Sequence, residues 1–185
     1  LSPSVKSLEN IFFGENVIII SPGPSLKLNI SELERSHSAL TIAVAQAVPA
    51  LLQHNIIPDF ILVMDPQDYA FTLDNFDLSK TCLICPEYVS PSFTEKNFLR
   101  KFFLISSNSC FEQNIYRKHQ SYNLDDASSV SVVAVRLSQM LGAKTIALLG
   151  QDLSFSSEQY YGSLYDPSKI EGVKQDPHIL KFKLP

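Results

Sequence analysis

The sequence predicts an α/β fold with a doubly wound, mostly parallel sheet and helices on both faces of that sheet. Two observations lead to this prediction. Short apolar runs of strand length alternate along the chain with segments of helical character. The runs are continuously apolar instead of alternating with polar residues, which is typical of parallel strands covered on both faces.

Each predicted element has its own signal in the sequence. The helical segment at residues 129–142 has apolar residues at near-helical spacing and ends in Gly142, and a second segment at residues 24–36 follows the first strand. We expect turns at "IIPDF" and "VSPSF". The predicted strands are residues 16–21, 39–45, 59–65, 81–86, 101–106 and 144–150. Their βαβ order is that of a Rossmann-like sheet.

Composition and charge narrow the class of protein. The chain has 185 residues, 45% of them hydrophobic, and we expect a single domain over residues 1–185. The net charge of -4 comes without a basic cluster, so we expect neither a nucleic acid nor a membrane surface as a partner. No apolar run is long enough to span a bilayer, and we expect a cytoplasmic protein. Because the sequence begins at Leu1, we also expect it to be part of a longer protein.

The cysteines and most histidines carry no signal of a site. Cys82 and Cys85 have C-x-x-C spacing, but residues three apart in a strand point to opposite faces, and no second pair completes a zinc site. We interpret them as reduced thiols of a buried strand, and Cys110 as uninformative. His178 follows a tyrosine-rich segment and is a candidate general base. The predicted surface histidines are His37, His54 and His119.

Ligands of doubly wound sheets bind outside the carboxyl ends of the strands, so the residues after each apolar run are candidate site residues. The first such turn, "SPGPSL", contains Gly23, Pro24 and Ser25 at a predicted helix start, where backbone N–H groups and the helix dipole suit a phosphate. It lacks the pattern of a Walker loop and of the three-glycine dinucleotide fingerprint. A rigid turn with a serine cap is the alternative.

Three further strand ends carry polar residues. Asp65 and Asp68 in "VMDPQD" are suited to hold Mg²⁺ against phosphates, or to bind a sugar or nucleoside hydroxyl, while helix capping is the structural alternative. A cluster of serines at a helix start is a second anion cradle or a set of caps. A Gly-Gln-Asp triplet follows the last strand and lies beside the first turn if the two strands are close. For the aspartate of this triplet, the alternative is a structural hydrogen bond to a neighbouring loop. The serine cluster consists of Ser128, Ser129 and Ser131. The triplet consists of Gly150, Gln151 and Asp152.

The segment after the last strand differs in composition from the rest of the chain. Residues 154–169 read "SFSSEQYYGSLYDPSK" and are polar, aromatic and rich in turn formers. Such segments often cover a site in α/β proteins. We therefore predict a mobile lid or tail over residues 154–185.

Three ordered motifs carry a family resemblance. "SPGPSL", "NIIPDFILVMDPQD" and "SSVSVVAVRLSQMLGAKTIALLGQDLSF" extend over residues 17 to about 155. Together they resemble the motility accessory factor glycosyltransferases, a bacterial group that attaches nonulosonic acids to flagellin. The layout is more distantly similar to bacterial sialyltransferases, which bind a CMP-sugar on a Rossmann-like fold, and to archaeal-type 6-hydroxymethylpterin diphosphokinases.

The resemblance implies roles for particular residues. The turn of Gly23, Pro24 and Ser25 would bind the nucleotide phosphate, and Ser129 and Ser131 would face the same phosphate from a helix start. Gly150 and Gln151, with Asp152, match the strand end near the nucleoside, and Gln46 stands where sialyltransferases carry an Asn that contacts the donor. Asp65, a candidate from its position after a strand, completes the nucleotide-binding set. The catalytic candidates are Asp152, Tyr160 and Tyr161, together with His178, a candidate from its position after the tyrosine-rich segment.

The chemistry assigned to these candidates follows from the implied reaction. Tyr160 and Tyr161 match tyrosines that stabilise the departing CMP phosphate, a role suited to phenols because they donate hydrogen bonds without adding charge. Many motility accessory factors have a histidine soon after the Gln-Asp motif, where this sequence reads "SEQYYGSLYD". The acceptor's proton therefore falls to a carboxylate or to His178.

Three functions remain open at this point. The first is an enzyme that transfers a nonulosonic acid from a CMP-activated donor to a Ser or Thr of flagellin or another acceptor, a reaction that needs no cofactor. The second is a Mg²⁺-dependent pterin diphosphokinase that uses ATP, with Asp65 and Asp68 as metal ligands. The third is a non-catalytic nucleotide-sugar-binding module.

Overall fold

A six-stranded parallel sheet forms the centre of the molecule. The computed structural model describes residues 3–35, 38–104 and 129–153. Every strand pair in the sheet is parallel, and the strand order is β5-β4-β3-β2-β1-β6. The strands are β1 (Asn16–Ile20), β2 (Leu40–Val44), β3 (Phe60–Leu62), β4 (Cys82–Pro86), β5 (Arg100–Leu104) and β6 (Thr145–Leu149). The predicted α/β fold and all six predicted strands are confirmed.

The strand order reverses at β1. From β1 the chain adds β2 to β5 one after another on one side, and it then returns to place β6 on the other side of β1. Ile20 of β1 pairs with Leu149 of β6, so the two strands end at the same level. A crevice opens at such a reversal because the two connections leave the sheet on opposite faces. The fold therefore brings together the residues that follow β1 and β6.

The helices cover both faces of the sheet, as expected. One apolar cluster includes residues of α1, α2 and α3, and the opposite cluster includes residues of α4. The helices are α1 (Leu26–Arg35), α2 (Val48–Gln53), α3 (Pro91–Thr94) and α4 (Val130–Met140), with 3₁₀ turns at Val5–Leu8, Ala45–Ala47 and Ala70–Leu73. The "VSPSF" segment, predicted as a turn, contains the single-turn helix α3, because Pro91 occupies its first position, where its missing N–H costs nothing.

Side-chain alternation explains why the strand sequences are continuously apolar. Successive residues of β1 point to opposite faces, so Ile19 packs against the α4 side and Ile20 against the α1 side, and both are fully buried. Burial of one such side chain contributes about 1.5–3 kcal/mol. The edge strand β6 is the exception, since Leu148 keeps 54% of its surface exposed.

The C-x-x-C pair behaves as the strand geometry predicts. Cys85 lies in the cluster on the α1 side, whereas Cys82 packs against the cluster on the α4 side, and both thiols are free. Burial raises the pKa of the Cys85 thiol to about 12. The pair therefore cannot bind one metal ion, and Cys85 is an inert core residue. His54 is exposed, as predicted.

Several predictions concern residues outside the described ranges. These include the lid over residues 154–185 and the residues Cys110, His37 and His119. Within the described ranges, the helices are too short or too polar to cross a lipid bilayer.

Close backbone contact joins the ends of β1 and β6. The Ser21 N–H donates to the Leu149 carbonyl at 2.8 Å, and the Gly23 N–H donates to the Gly150 carbonyl at 2.8 Å. Gly150 has φ +69°, and a Cβ at this position would overlap the Ser21 carbonyl oxygen. A Cβ at Gly23 would overlap the Asp152 carboxylate. Both positions require glycine because the two loops lie closer than side chains permit.

The substitution Gly150→Ala tests this contact. Gly14→Ala is the matched control: Gly14 also has a positive φ of +86°, but among the described residues an added Cβ would meet no atom within 4 Å. We expect the control to cost roughly 1–2 kcal/mol for the backbone conformation alone. Gly150→Ala should cost about 3 kcal/mol or more, because Ser21 must also move. Urea unfolding followed by circular dichroism measures both values, and equal losses would contradict the role of the contact.

Candidate functional site

The candidate site is the crevice above the ends of β1 and β6. Three segments meet there: residues 21–25 after β1, residues 150–152 after β6, and the start of α4. Side-chain hydrogen bonds connect all three segments. The sequence prediction that the "SPGPSL" and "GQDL" segments are neighbours is confirmed by these contacts.

The turn after β1 already uses its backbone donors. Pro22 and Pro24 have no N–H, the Gly23 N–H is bonded to Gly150, and the Ser25 N–H donates to Oδ2 of Asp152 at 2.7 Å. The Asp152 carboxylate therefore occupies the anion position at the start of α1, where the helix dipole favours negative charge. A phosphate would reach this turn through the half-buried Ser25 side chain instead of through the backbone. The predicted phosphate-binding role of Gly23, Pro24 and Ser25 stays a prediction.

The start of α4 forms the opposite wall of the crevice. Ser129 is the N-cap, and its hydroxyl accepts a hydrogen bond from the Val132 N–H at 3.4 Å. Ser129 is exposed, whereas Ser131 turns inward and donates to Oε1 of Gln151 at 2.5 Å. One of the predicted serines is thus a cap that faces solvent, and another binds a residue that follows the end of β6.

Sequence reasoning missed Ser21. Its side chain is only 3% exposed, and its Oγ lies 3.2 Å from Oγ of Ser131. The signal was present, because Ser21 is the polar residue that directly follows the apolar strand β1. Nothing in the spacing, however, indicates a partner 110 residues away along the chain.

The two aspartates after β3 both accept hydrogen bonds from the protein itself. Asp65 accepts a hydrogen bond from the Gln67 N–H at 2.9 Å. Asp68 accepts from the Ala70 N–H at 3.2 Å and from the Ser92 hydroxyl at 2.5 Å, and these contacts, the one from Ser92 foremost, lower the pKa of Asp68. In the part of the chain that the structure describes, no group of three acidic, histidine or cysteine side chains is arranged to hold a metal ion.

The remaining predicted residues divide into two groups. Gln46 is half-buried in the 3₁₀ turn that follows β2, the strand next to β1, and so lies along the same edge of the sheet. Ser128, Tyr160, Tyr161 and His178 lie outside the described residues.

A separate cavity of about 360 Å³ opens at the other end of the sheet. Leu40, at the start of β2, and Asp59, just before β3, line it together with residues 11–13. This cavity lies at the amino ends of the strands, away from the crevice, and therefore does not include any predicted site residue.

The crevice thus combines the positive end of one helix with polar groups of different character. The exposed start of α4 favours an anion. Gln151 can donate hydrogen bonds through its amide nitrogen, and the second carboxylate oxygen of Asp152 can accept one. This set of groups can bind a phosphate together with a hydroxyl-bearing molecule.

A solved structure shares this fold. The MAf glycosyltransferase from Magnetospirillum magneticum AMB-1 matches with a TM-score of 0.66 and 21% sequence identity, over 88% of this chain and 29% of that chain. This chain therefore spans less than a third of the neighbour's length. No curated protein matches the sequence.

The family comparison covers most of the chain. The family model described as 6-hydroxymethylpterin diphosphokinase MptE-like matches residues 1–158, which include the whole described sheet and all three segments of the crevice. The chain therefore belongs to the MptE-like family.

Proposed function

We propose that this chain is the nucleotide-sugar-binding domain of a glycosyltransferase that moves a nonulosonic acid from a CMP-activated donor to a Ser or Thr hydroxyl of flagellin or another acceptor. One observation carries the proposal: the start of α4, Gln151 and Asp152 meet where the strand order reverses, the usual nucleotide position in doubly wound sheets. The fold shared with a MAf glycosyltransferase supports this choice of reaction.

The start of α4 suits the leaving group of this reaction. Departure of the sugar leaves negative charge on the CMP phosphate, and the 11-residue helix α4 directs the positive end of its dipole into the crevice. Among the described residues, none accepts the backbone N–H of Val130 or Ser131. Those two groups are therefore the donors that a phosphate at this helix would use.

Asp152 suits the acceptor side of the reaction. Its Oδ2 is bonded to the Ser25 N–H, and within the described ranges no group donates to its Oδ1. As the bond between the sugar and the phosphate oxygen breaks, its electron pair stays on CMP. The acceptor oxygen forms the new bond to the sugar and gives its proton to Asp152 Oδ1. The fixed Oδ2 contact orients the carboxylate for this step.

Binding of CMP tests the proposal directly. We expect calorimetry on the intact chain to detect CMP and a CMP-sugar, with the same affinity in the presence and absence of Mg²⁺. CDP, UDP and ATP serve as comparison ligands. Absence of heat with both CMP and the CMP-sugar would overturn the proposal.

The variant Asp152→Asn tests the proton acceptor. The amide oxygen can still accept the Ser25 N–H, so we expect thermal unfolding and CMP binding to stay close to wild type. Transfer to the acceptor should fall by at least about tenfold, because an amide cannot take the proton. Asp152→Ala also removes the carboxylate that accepts the Ser25 N–H at the start of α1, as a helix cap would, and should lower the free energy of unfolding by about 1 kcal/mol. Unchanged transfer by Asp152→Asn would rule out this role.

The family description favours a second candidate function, a pterin diphosphokinase that uses ATP and Mg²⁺. Under this reading, Asp65 and Asp68 would hold the metal ion. Their present hydrogen bonds to Gln67, Ala70 and Ser92 would have to yield to the ion, at least in part. Mg²⁺-dependent binding of ATP without binding of CMP would favour this function over transfer.

The Ser92→Ala variant tests the state of Asp68. The hydrogen bond from Ser92 is the largest cause of its lowered pKa, so the substitution should raise the pKa of Asp68 toward that of an ordinary aspartate. A lowered pKa stabilises the fold above the unfolded-state pKa, and this contribution is lost as the pH falls through the folded-state value. NMR titration of the carboxyl carbons measures the change, with Asp77, whose pKa Ser79 lowers, as an internal control. An Asp68 pKa that does not respond would contradict the assignment.

A further inference from the structure

Three side chains form a hydrogen-bonded chain beneath the crevice. Ser21 Oγ lies 3.2 Å from Ser131 Oγ, and the Ser131 hydroxyl lies 2.5 Å from Oε1 of Gln151. These residues come from the end of β1, the first turn of α4 and the end of β6. Ser21 is only 3% exposed, while Gln151 is half-buried at the crevice end of the chain.

Burial of Ser21 fixes the direction of these hydrogen bonds. Each serine hydroxyl has one proton to donate, and a buried donor without an acceptor is costly. Ser131 is the partner that the structure gives to the Ser21 hydroxyl within the described residues, so Ser21 donates to Ser131. The Ser131 proton then goes to Gln151, which must present its oxygen. The opposite amide orientation would leave the Ser21 proton without an acceptor.

This direction determines what Gln151 offers to the crevice. The amide group is planar, so when its oxygen faces Ser131 its nitrogen points away from Ser131. The nitrogen carries two N–H donors and no acceptor, and none of the described residues takes a hydrogen bond from it. Ser131, by contrast, has already used its only proton. Of these two residues, Gln151 is the one that can still donate a side-chain hydrogen bond to a ligand.

We propose that Gln151 is a specificity-determining residue that donates its amide N–H groups to an acceptor oxygen of the bound nucleotide, and that Ser131 and Ser21 are positioning residues that fix the orientation of this amide. The proposal rests on the nucleotide-binding function proposed above. It changes the role of Ser131, because the hydroxyl of that residue orients Gln151 and does not contact the ligand itself.

The acceptor oxygen has two chemical sources in a nucleotide such as CMP. One is the phosphate, and the other is the carbonyl of the pyrimidine base. Both accept hydrogen bonds from an amide, but only the phosphate carries a full negative charge. A carboxylate in place of the amide can accept the Ser131 proton but cannot donate to either oxygen. Comparison of CMP with cytidine, which has the base but no phosphate, therefore separates the two sources.

The ligand-free protein provides the first test. We expect ¹⁵N relaxation of side-chain amides to show that the Gln151 amide of wild type is more ordered than that of Gln139, an exposed glutamine on α4. Ser131→Ala should increase the motion of the Gln151 amide, and Ser131→Thr, which keeps the hydroxyl, should restore the order. An amide of Gln151 as mobile as that of Gln139 in wild type would overturn the positioning role, whatever the protein binds.

Calorimetric titration with CMP and cytidine provides the second test. Gln151→Glu should weaken CMP binding by at least tenfold without a change in the midpoint of thermal unfolding, whereas the charge-matched control Gln139→Glu should bind as wild type does. Loss confined to CMP assigns the phosphate as acceptor, and equal loss for cytidine assigns the base. Wild-type affinity for both ligands in Gln151→Glu would overturn the contact.

The two tests separate this inference from the proposed function. If wild type binds neither CMP nor a CMP-sugar, the proposed function fails and the ligand contact of Gln151 fails with it, while the relaxation data still decide the positioning role. If wild type binds CMP and Gln151→Glu binds it equally well, the proposed function stands and the contact alone is wrong.

Discussion

The close backbone contact between the ends of β1 and β6 is the constraint on which the rest of the site depends. Ser21 and Gly23 donate to Leu149 and Gly150, and neither Gly23 nor Gly150 has room for a side chain. Because the two loops are held at this distance, Asp152 reaches the Ser25 N–H at the start of α1. A slightly wider separation would break this contact, so the backbone geometry comes first and the position of the carboxylate follows from it.

The crevice has two helix starts that carry different charges. At α1 the protein supplies its own anion, the Asp152 carboxylate, so this end of the crevice is already neutralised. At α4 the cap is an uncharged serine, and the positive end of the dipole remains available. A ligand with one phosphate and one hydroxyl-bearing group therefore has a preferred direction, with the phosphate at α4 and the hydroxyl near Asp152. The Asp152 carboxylate thus determines the direction in which such a ligand would bind.

The fold could be predicted from the sequence because continuously apolar strands must be covered on both faces. A parallel sheet between two layers of helices is the usual arrangement that covers them. The six continuously apolar runs and the helical segments between them were enough to identify a parallel sheet with helices on both faces. The position of Gln151 and Asp152 beside the first turn could also be predicted, since these two residues follow the end of one strand and the turn follows the end of another. A structural hydrogen bond was one of the alternatives that the sequence left open for Asp152. Its partner, the Ser25 N–H at the start of α1, could not be predicted, because this contact depends on a distance between two loops and not on any residue pattern.

The direction of the hydrogen bonds from Ser21 to Gln151 could not be predicted from the sequence either. A sequence can indicate that serines and a glutamine lie near one another, but the direction of donation depends on which hydroxyl is buried without another acceptor. Here that residue is Ser21, and the sequence shows it only as a polar residue at the end of a strand, without indicating its burial. Its burial determines the direction at Ser131, and Ser131 determines which end of the Gln151 amide faces the crevice. The residue that controls what the crevice offers to a ligand is therefore the one farthest from the ligand.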